Sequence, residues 1–108
     1  MGFINKMEYV TIASKSNTTD FGDLSAVRGN GGGVSSNTRG VLAGGRSPTF
    51  RNIIEYITIA STGDMTDFGD LAAARSYLAG ASTHTRAIFG GGSTPTIVNT
   101  IEYITIAS

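Results

Sequence analysis

Short runs of β-branched and aromatic residues alternate along this chain with clusters of Gly, Ser, Thr, Asn and Asp. "TIEYITIAS" at 100–108 shows the pattern best. Its composition predicts a strand. Ile101, Tyr103, Thr105 and Ala107 fall on one side of that strand, and Glu102, Ile104 and Ile106 on the other. Past Glu102 both sides are largely apolar, whereas a sheet wetted on one face alternates more cleanly. Both faces are therefore expected to pack. "TRGVLAGG" (38–45) and "TRAIFGGG" (85–92) read as short strands that end in glycines, which permit tight turns. "TTDFGDL" (18–24) and "MTDFGDL" (65–71) supply further extended segments.

The strand segments recur. Glu8, Glu55 and Glu102 are spaced 47 residues apart, and residues 8–54 align with 55–101 without a gap. In that alignment 24 of the 47 pairs are identical. The shared frame reads E-Y-[VI]-T-I-A-S, T-D-F-G-D-L, a lone Arg (Arg28, Arg75), T-R (38–39, 85–86), G-G (44–45, 91–92), P-T, and Asn (Asn52, Asn99). Asn5 falls in register with the last of these. The organisation is then the end of a repeat at 1–7, one repeat at 8–54, a second at 55–101, and the start of a third at 102–108, all in one structural domain.

One segment is ambiguous by itself. "DLAAARSYLAGA" (70–81) has a helix-like composition, with Asp70 as a cap. Its counterpart "DLSAVRGNGGGV" (23–34) carries four glycines. Each would cost roughly 1 kcal/mol in a helix interior. Related repeats share a backbone, so both copies are read as extended, with their small residues in a crowded place. Each unit is then four short strands. Written out, the chain runs third–fourth, first–second–third–fourth, first–second–third.

Composition narrows the function. Charged residues make up 15% of the chain, with eight Lys plus Arg against eight Asp plus Glu and a net charge of zero. No basic footprint points to nucleic acid, and no polybasic or long apolar segment points to a membrane. A neutral, sparsely charged surface favours association. There is no Cys, hence neither a disulfide framework nor a thiolate metal site. "MGFINK" lacks the apolar core of a signal peptide, and Lys6 breaks the myristoylation pattern. Location is not legible.

The repeat resembles the kelch repeat. The residues that carry the likeness are "AIFGGG" (87–92), "VNTIEYITIAS" (98–108), "DFGDL" (67–71) and Arg75. Phe21 and Phe68 stand where kelch repeats have Trp, and "SAV" or "AAA" replaces their Met-Pro. The near-identical Thr/Ser/Gly-rich copies are also similar to simple kelch-like arrays of phage, viral-tail and environmental proteins. This resemblance implies an all-β fold: kelch-like β-propeller blades, each a four-stranded antiparallel sheet, about two blades per chain. A closed ring needs at least about four blades. Completion by homo-oligomerisation is therefore expected, as a trimer with six blades or a tetramer with eight. A second reading stays open, in which the chain is a fragment of a longer array. The surplus copy of the third strand fits either reading.

Candidate chemistry is sparse. Asp64, Asp67 and Asp70 form D-x-x-D-x-x-D, a weak calcium candidate. Turn formation by Asp is the competing account, and Asn17 replaces Asp64 in the other copy. "DFG" lacks the other kinase elements. "GNGGG" and "FGGG" lack a phosphate-loop Lys. His84, the sole His, corresponds to Asn37 and reads as a turn residue. Arg28, Arg39, Arg75 and Arg86 recur between copies, and pairing with recurring Asp or Glu across blades is expected. Arg39 and Arg86 with Tyr56 and Tyr103 are the speculative sites for a sugar or anion. No catalytic residue, no metal site and no cofactor is assigned. The leading reading is a non-enzymatic structural or binding module, of virion- or cell-surface type by resemblance, binding carbohydrate weakly and multivalently. The alternative is a propeller-type glycan-acting enzyme with a site assembled between chains. It would need two carboxylates at a defined gap; a copper oxidase would need His and Cys ligands.

Overall fold

The structure is a computed structural model that describes residues 3–46, 49–94 and 96–106. Pro48 and Pro95 of the repeat frame, and Ala107, lie outside these residues. Among the described residues none is helical, and nine strands form three antiparallel sheets. The first sheet pairs β1 (Lys6–Tyr9) with β2 (Thr19–Asp23). The second has four strands in chain order: β3 (Gly32–Ser35), β4 (Arg39–Ala43), β5 (Ile53–Thr58) and β6 (Thr66–Asp70). The third has β7 (Ala79–Ser82), β8 (Arg86–Gly90) and β9 (Ile101–Thr105). Two, four and three strands are the succession that the 47-residue frame predicts. The helix-like segment 70–81 is irregular up to Leu78 and then extended as β7, as its glycine-rich counterpart implies.

Backbone detail repeats with the sequence. Gly44 and Gly91 have φ of 68° and 70°, Gly45 and Gly92 of 100° and 98°, and Asn30 and Tyr77 of 63° and 59°. Position 44 takes glycine on two counts, its left-handed φ and the close approach of a neighbour, since a Cβ there would stand 2.5 Å from the Arg75 carbonyl oxygen. Each third-to-fourth strand pair carries a bulge at the same place, between Met7 and Glu8 and between Ile54 and Glu55. There the extra residue on the partner strand is Phe21 or Phe68. Each phenyl ring sets an edge against the repeated tyrosine, Tyr9 at 6.0 Å and Tyr56 at 6.1 Å between centroids. Such pairs add roughly 0.5–1.5 kcal/mol beyond area burial.

The core lies between the second and third sheets. Val41, Ala43 and Ile54 face Leu78, Ala87, Phe89 and Ile106, with Leu71 in the same cluster. The edge strands β3 and β7 are in contact, and small residues let them approach. Backbone bonds join the sheets: Tyr77 N–H donates to Asn30 O at 2.7 Å and Gly45 N–H to Arg75 O at 2.9 Å. The first sheet is tied to the second by Gly63 N–H to Phe21 O (2.9 Å) and Met65 N–H to Asp23 O (3.0 Å).

The expectation that both faces of each sheet pack is met on the second sheet and not on the third. Val41 and Ile54 are 3% and 2% exposed, whereas their counterparts Ile88 and Ile101 are 45% and 73% exposed. The same face is covered in one repeat and open in the next.

Candidate functional site

The recurring arginines fall into two kinds. Arg28 and Arg75 lie in the segments that lead into β3 and β7, and each reaches the glutamate on the third strand of its sheet, Glu55 on β5 and Glu102 on β9. Arg28 Nη2 stands 2.7 Å from Glu55 Oε2, and Arg75 Nη2 stands 3.0 Å from Glu102 Oε2. The second oxygen of each glutamate accepts a backbone N–H, from Ser25 at 3.2 Å and from Ala72 at 2.8 Å. Arg28 Nη1 also donates to Ile53 O (3.4 Å), and Arg75 Nη1 to Thr100 O (3.2 Å). Burial pulls the Arg28 guanidinium below its ordinary pKa, against the Glu55 charge and hydrogen bond and with the Arg51 charge. These pairs knit the entry of a sheet to its third strand. They are buried and internal, so they offer no ligand contact.

Among the described residues Arg39 and Arg86 form no ion pair with a carboxylate, contrary to the expectation for all four arginines. The reason is register. Val41 lies opposite Tyr56 in the sheet, so Arg39, two residues back on the same face, meets the tyrosine diagonally. Its guanidinium sits 4.1 Å from the Tyr56 ring centroid, and that of Arg86 sits 4.7 Å from the Tyr103 centroid. Both speculative Arg–Tyr sites are thus brought together as cation–π pairs. They differ in environment. Arg39 donates from Nη1 to Ile106 O at 2.7 Å, between two sheets. Arg86 and Tyr103 are exposed on the outer face of the third sheet.

The weak calcium candidate is not assembled. Among the described residues no group of three His, Cys, Asp or Glu converges on a cation position. Asp67 and Asp70 are at β6 positions paired with Glu55 and Ile53, and Asp64 Oδ1 accepts the Asp23 N–H at 3.0 Å. Asp64 thus fastens the first sheet to the second.

The open polar site lies elsewhere. The β3–β4 turn and the β7–β8 turn stand side by side and enclose a groove of about 280 Å³. It is lined by Ser35, Ser36 and Asn37 and by their counterparts Ser82, Thr83 and His84. Ser82 Oγ donates to Ser35 O at 2.8 Å and accepts Ser35 N–H at 3.3 Å, which holds the walls together. Ser36 Oγ accepts the N–H groups of Thr38 and Arg39 (3.2 and 3.0 Å), and Thr83 Oγ1 accepts that of Arg86 (3.2 Å). The hydroxyls therefore shape the turns, and the exposed Asn37 and His84 present donors and acceptors at the rim. His84 read singly is a turn residue; the groove appears only when adjacent repeats stand together. A larger cleft of about 570 Å³, between the first and second sheets, is lined chiefly by Met7, Tyr9, Val10, Phe21, Ile57 and Ile59 and is apolar.

Among known proteins, no family model matches the chain and no curated protein matches its sequence.

Proposed function

We propose that the chain is a non-enzymatic structural and binding module whose sheets act as kelch-like propeller blades. It completes its blades with further copies of itself, as a trimer or tetramer, and binds carbohydrate weakly and multivalently. The observation that carries this reading is the open face of the third sheet. Arg86, Ile88, Ile101 and Tyr103 repeat, side chain for side chain, the face that the second sheet buries with Arg39, Val41, Ile54 and Tyr56. A contiguous apolar face of this kind marks an interface, and the surface it matches is one this chain already makes.

The ligand class follows from the groove between the turns. Its lining is hydroxyl, amide and imidazole, without an acid pair. That suits hydroxyl-rich ligands and gives no general acid or nucleophile for glycoside cleavage. Every junction between adjacent repeats creates one such groove, so a ring multiplies a shallow site. The resemblance to viral-tail arrays directs the search to cell-surface glycans.

Light scattering on the purified chain is expected to give a multiple of 11.2 kDa. A glycan array, with a hydrolysis assay on every hit, is expected to show binding without cleavage, lost in Asn37→Ala/His84→Ala. A single-chain mass at micromolar concentration would refute the blade-completion reading, and cleavage would refute the non-enzymatic one.

A further inference from the structure

The octapeptide that recurs at 7–14, 54–61 and 101–108 occupies three different environments. The isoleucine at its sixth position is fully buried as Ile106 (0% exposed), half-exposed as Ile59 (47%) and almost wholly exposed as Ile12 (97%). Tyr9 and Val10 beside Ile12 are 41% and 43% exposed. The glutamate of the segment behaves in parallel. Glu55 and Glu102 each hold a buried arginine, whereas Glu8 is exposed and accepts a hydrogen bond from the Thr18 hydroxyl. The first copy is therefore a segment with the side chains of a seated third strand and no seat.

The seat exists in the third sheet. It is the edge of β8, where Arg75 and the Ala72 N–H hold a glutamate and Arg39 holds a carbonyl. In this chain β9 occupies it. Residues 7–14 offer the same groups in the same order: Glu8 for Glu102, Tyr9 for Tyr103, Val10 for Ile104 and Ile12 for Ile106. The first sheet also brings β2, a fourth strand, which the third sheet lacks. The β1–β2 register, Met7 to Gly22 and Glu8 to Asp20, matches the β5–β6 register, Ile54 to Gly69 and Glu55 to Asp67.

We infer that β1 and β2 of a second copy of this chain seat on β8 in place of β9, giving the four-stranded sheet β7–β8–β1–β2 across two chains. The inference rests on the blade-completion reading and names its contact. The composite sheet continues the interface already formed between the second and third sheets. Its face carries Arg86, Ile88 and the copy's Tyr9 where the second sheet carries Arg39, Val41 and Tyr56. It lies against the copy's own second sheet, where the first sheet already packs. The exchange swaps one ion pair for another of the same kind, Arg75–Glu102 for Arg75 with the copy's Glu8, so little is lost when β9 leaves.

The chain has no cysteine, so a reporter pair is unambiguous. Ile88 lies opposite Tyr103 in the β8–β9 register. Directly opposed residues fall within disulfide range. The full-length Tyr9→Cys/Ile88→Cys variant, oxidised at micromolar concentration, is expected to give chains joined from position 9 to position 88, as mapped on peptides. The Tyr103→Cys/Ile88→Cys variant reports the unexchanged state as a link within one chain. Light scattering on the unmodified chain runs in parallel. Glu8→Gln is expected to weaken association at least about tenfold, because it leaves Arg75 without its new partner. Glu102→Gln is expected to strengthen association by loosening β9. A single-chain mass under all conditions overturns both the blade-completion reading and the exchange. A multiple mass without the 9–88 link, or with Glu8→Gln and Glu102→Gln moving association in the same direction, overturns the exchange alone.

Discussion

Replacing Glu55 by Gln removes one charge from the most enclosed ion pair of the described residues. The side chains of Arg28 and Glu55 are 1% and 2% exposed and meet at 2.7 Å. Without the carboxylate, the guanidinium keeps the Ile53 carbonyl at 3.4 Å and stays in a space that water does not reach. Breaking one partner of such a pair costs about 3–5 kcal/mol. The amide retains one acceptor, so the lower end applies, about 3 kcal/mol, a large share of the roughly 5–15 kcal/mol that holds a domain. The repeat supplies its own control. Glu102 is 22% exposed and meets Arg75 at 3.0 Å, so water relieves part of the loss in Glu102→Gln, and about half the cost is expected. The assay is urea unfolding followed by far-ultraviolet circular dichroism and by emission from the four tyrosines, since the chain has no tryptophan. With a slope of about 1.5 kcal/mol per molar, Glu55→Gln moves the midpoint down by roughly 2 M and Glu102→Gln by roughly 1 M. Burial holds the Arg28 pKa down, so desolvation disfavours its charged form. Arg28→Met/Glu55→Leu is therefore expected to be neutral or stabilising. Equal midpoint shifts for the two single variants, or a larger one for Glu102→Gln, would refute the burial argument.

Two further outcomes use the repeat in the same way. Ile106→Ala is expected to lower stability by about 2–5 kcal/mol, because it opens a cavity beside Phe89 in the core, whereas Ile12→Ala in the monomeric chain stays within about 0.5 kcal/mol; thermal or urea midpoints at low concentration check both. Tyr77 has φ 59° where its counterpart Asn30 has 63°, a region that asparagine tolerates and tyrosine does not, and its ring is 66% exposed. Tyr77→Asn is therefore expected to raise the urea midpoint by the equivalent of about 1 kcal/mol, and a decrease would show that the exposed ring makes a contact worth more than the backbone strain.

The strand plan was legible because two copies of one backbone constrain each other. "DLAAARSYLAGA" alone favours a helix; "DLSAVRGNGGGV" forbids one, and the shared φ values at 30 and 77 and at 44 and 91 confirm a common path. The partners of the side chains were less legible. Four recurring arginines look alike in a sequence. Only register separates Arg39, which falls diagonally from Tyr56, from Arg28, which enters from a loop at the level of the bulged Glu55. The acidic triplet, whose competing account was turn formation, makes a related point. Spacing of three does not gather side chains in extended structure, where faces alternate with a period of two, and Asp64 lies before β6 and binds a neighbouring sheet. The groove at 35–37 and 82–84 had a signal, since Asn37 and His84 are counterparts in adjacent repeats. Stacked repeats place counterparts side by side, a step that treating His84 as a solitary residue omits.

A repeated sequence cannot be tuned separately for each place it occupies. Ile12, Ile59 and Ile106 are one residue of one octapeptide, yet their exposures run from 97% through 47% to 0%. What differs is the neighbour supplied. Ile12 leaves its apolar surface to solvent, and among the described residues no ion pair joins Glu8 to an arginine as Glu55 is joined to Arg28 and Glu102 to Arg75. The third sheet makes the complementary case, with a covered inner face and an outer face that copies the covered face of the second. On the proposed exchange, the open apolar area at one end and the exposed strand at the other are two halves of one contact. On that proposal folding and association are coupled, and each copy stabilises the next through the interface that its own second and third sheets already make.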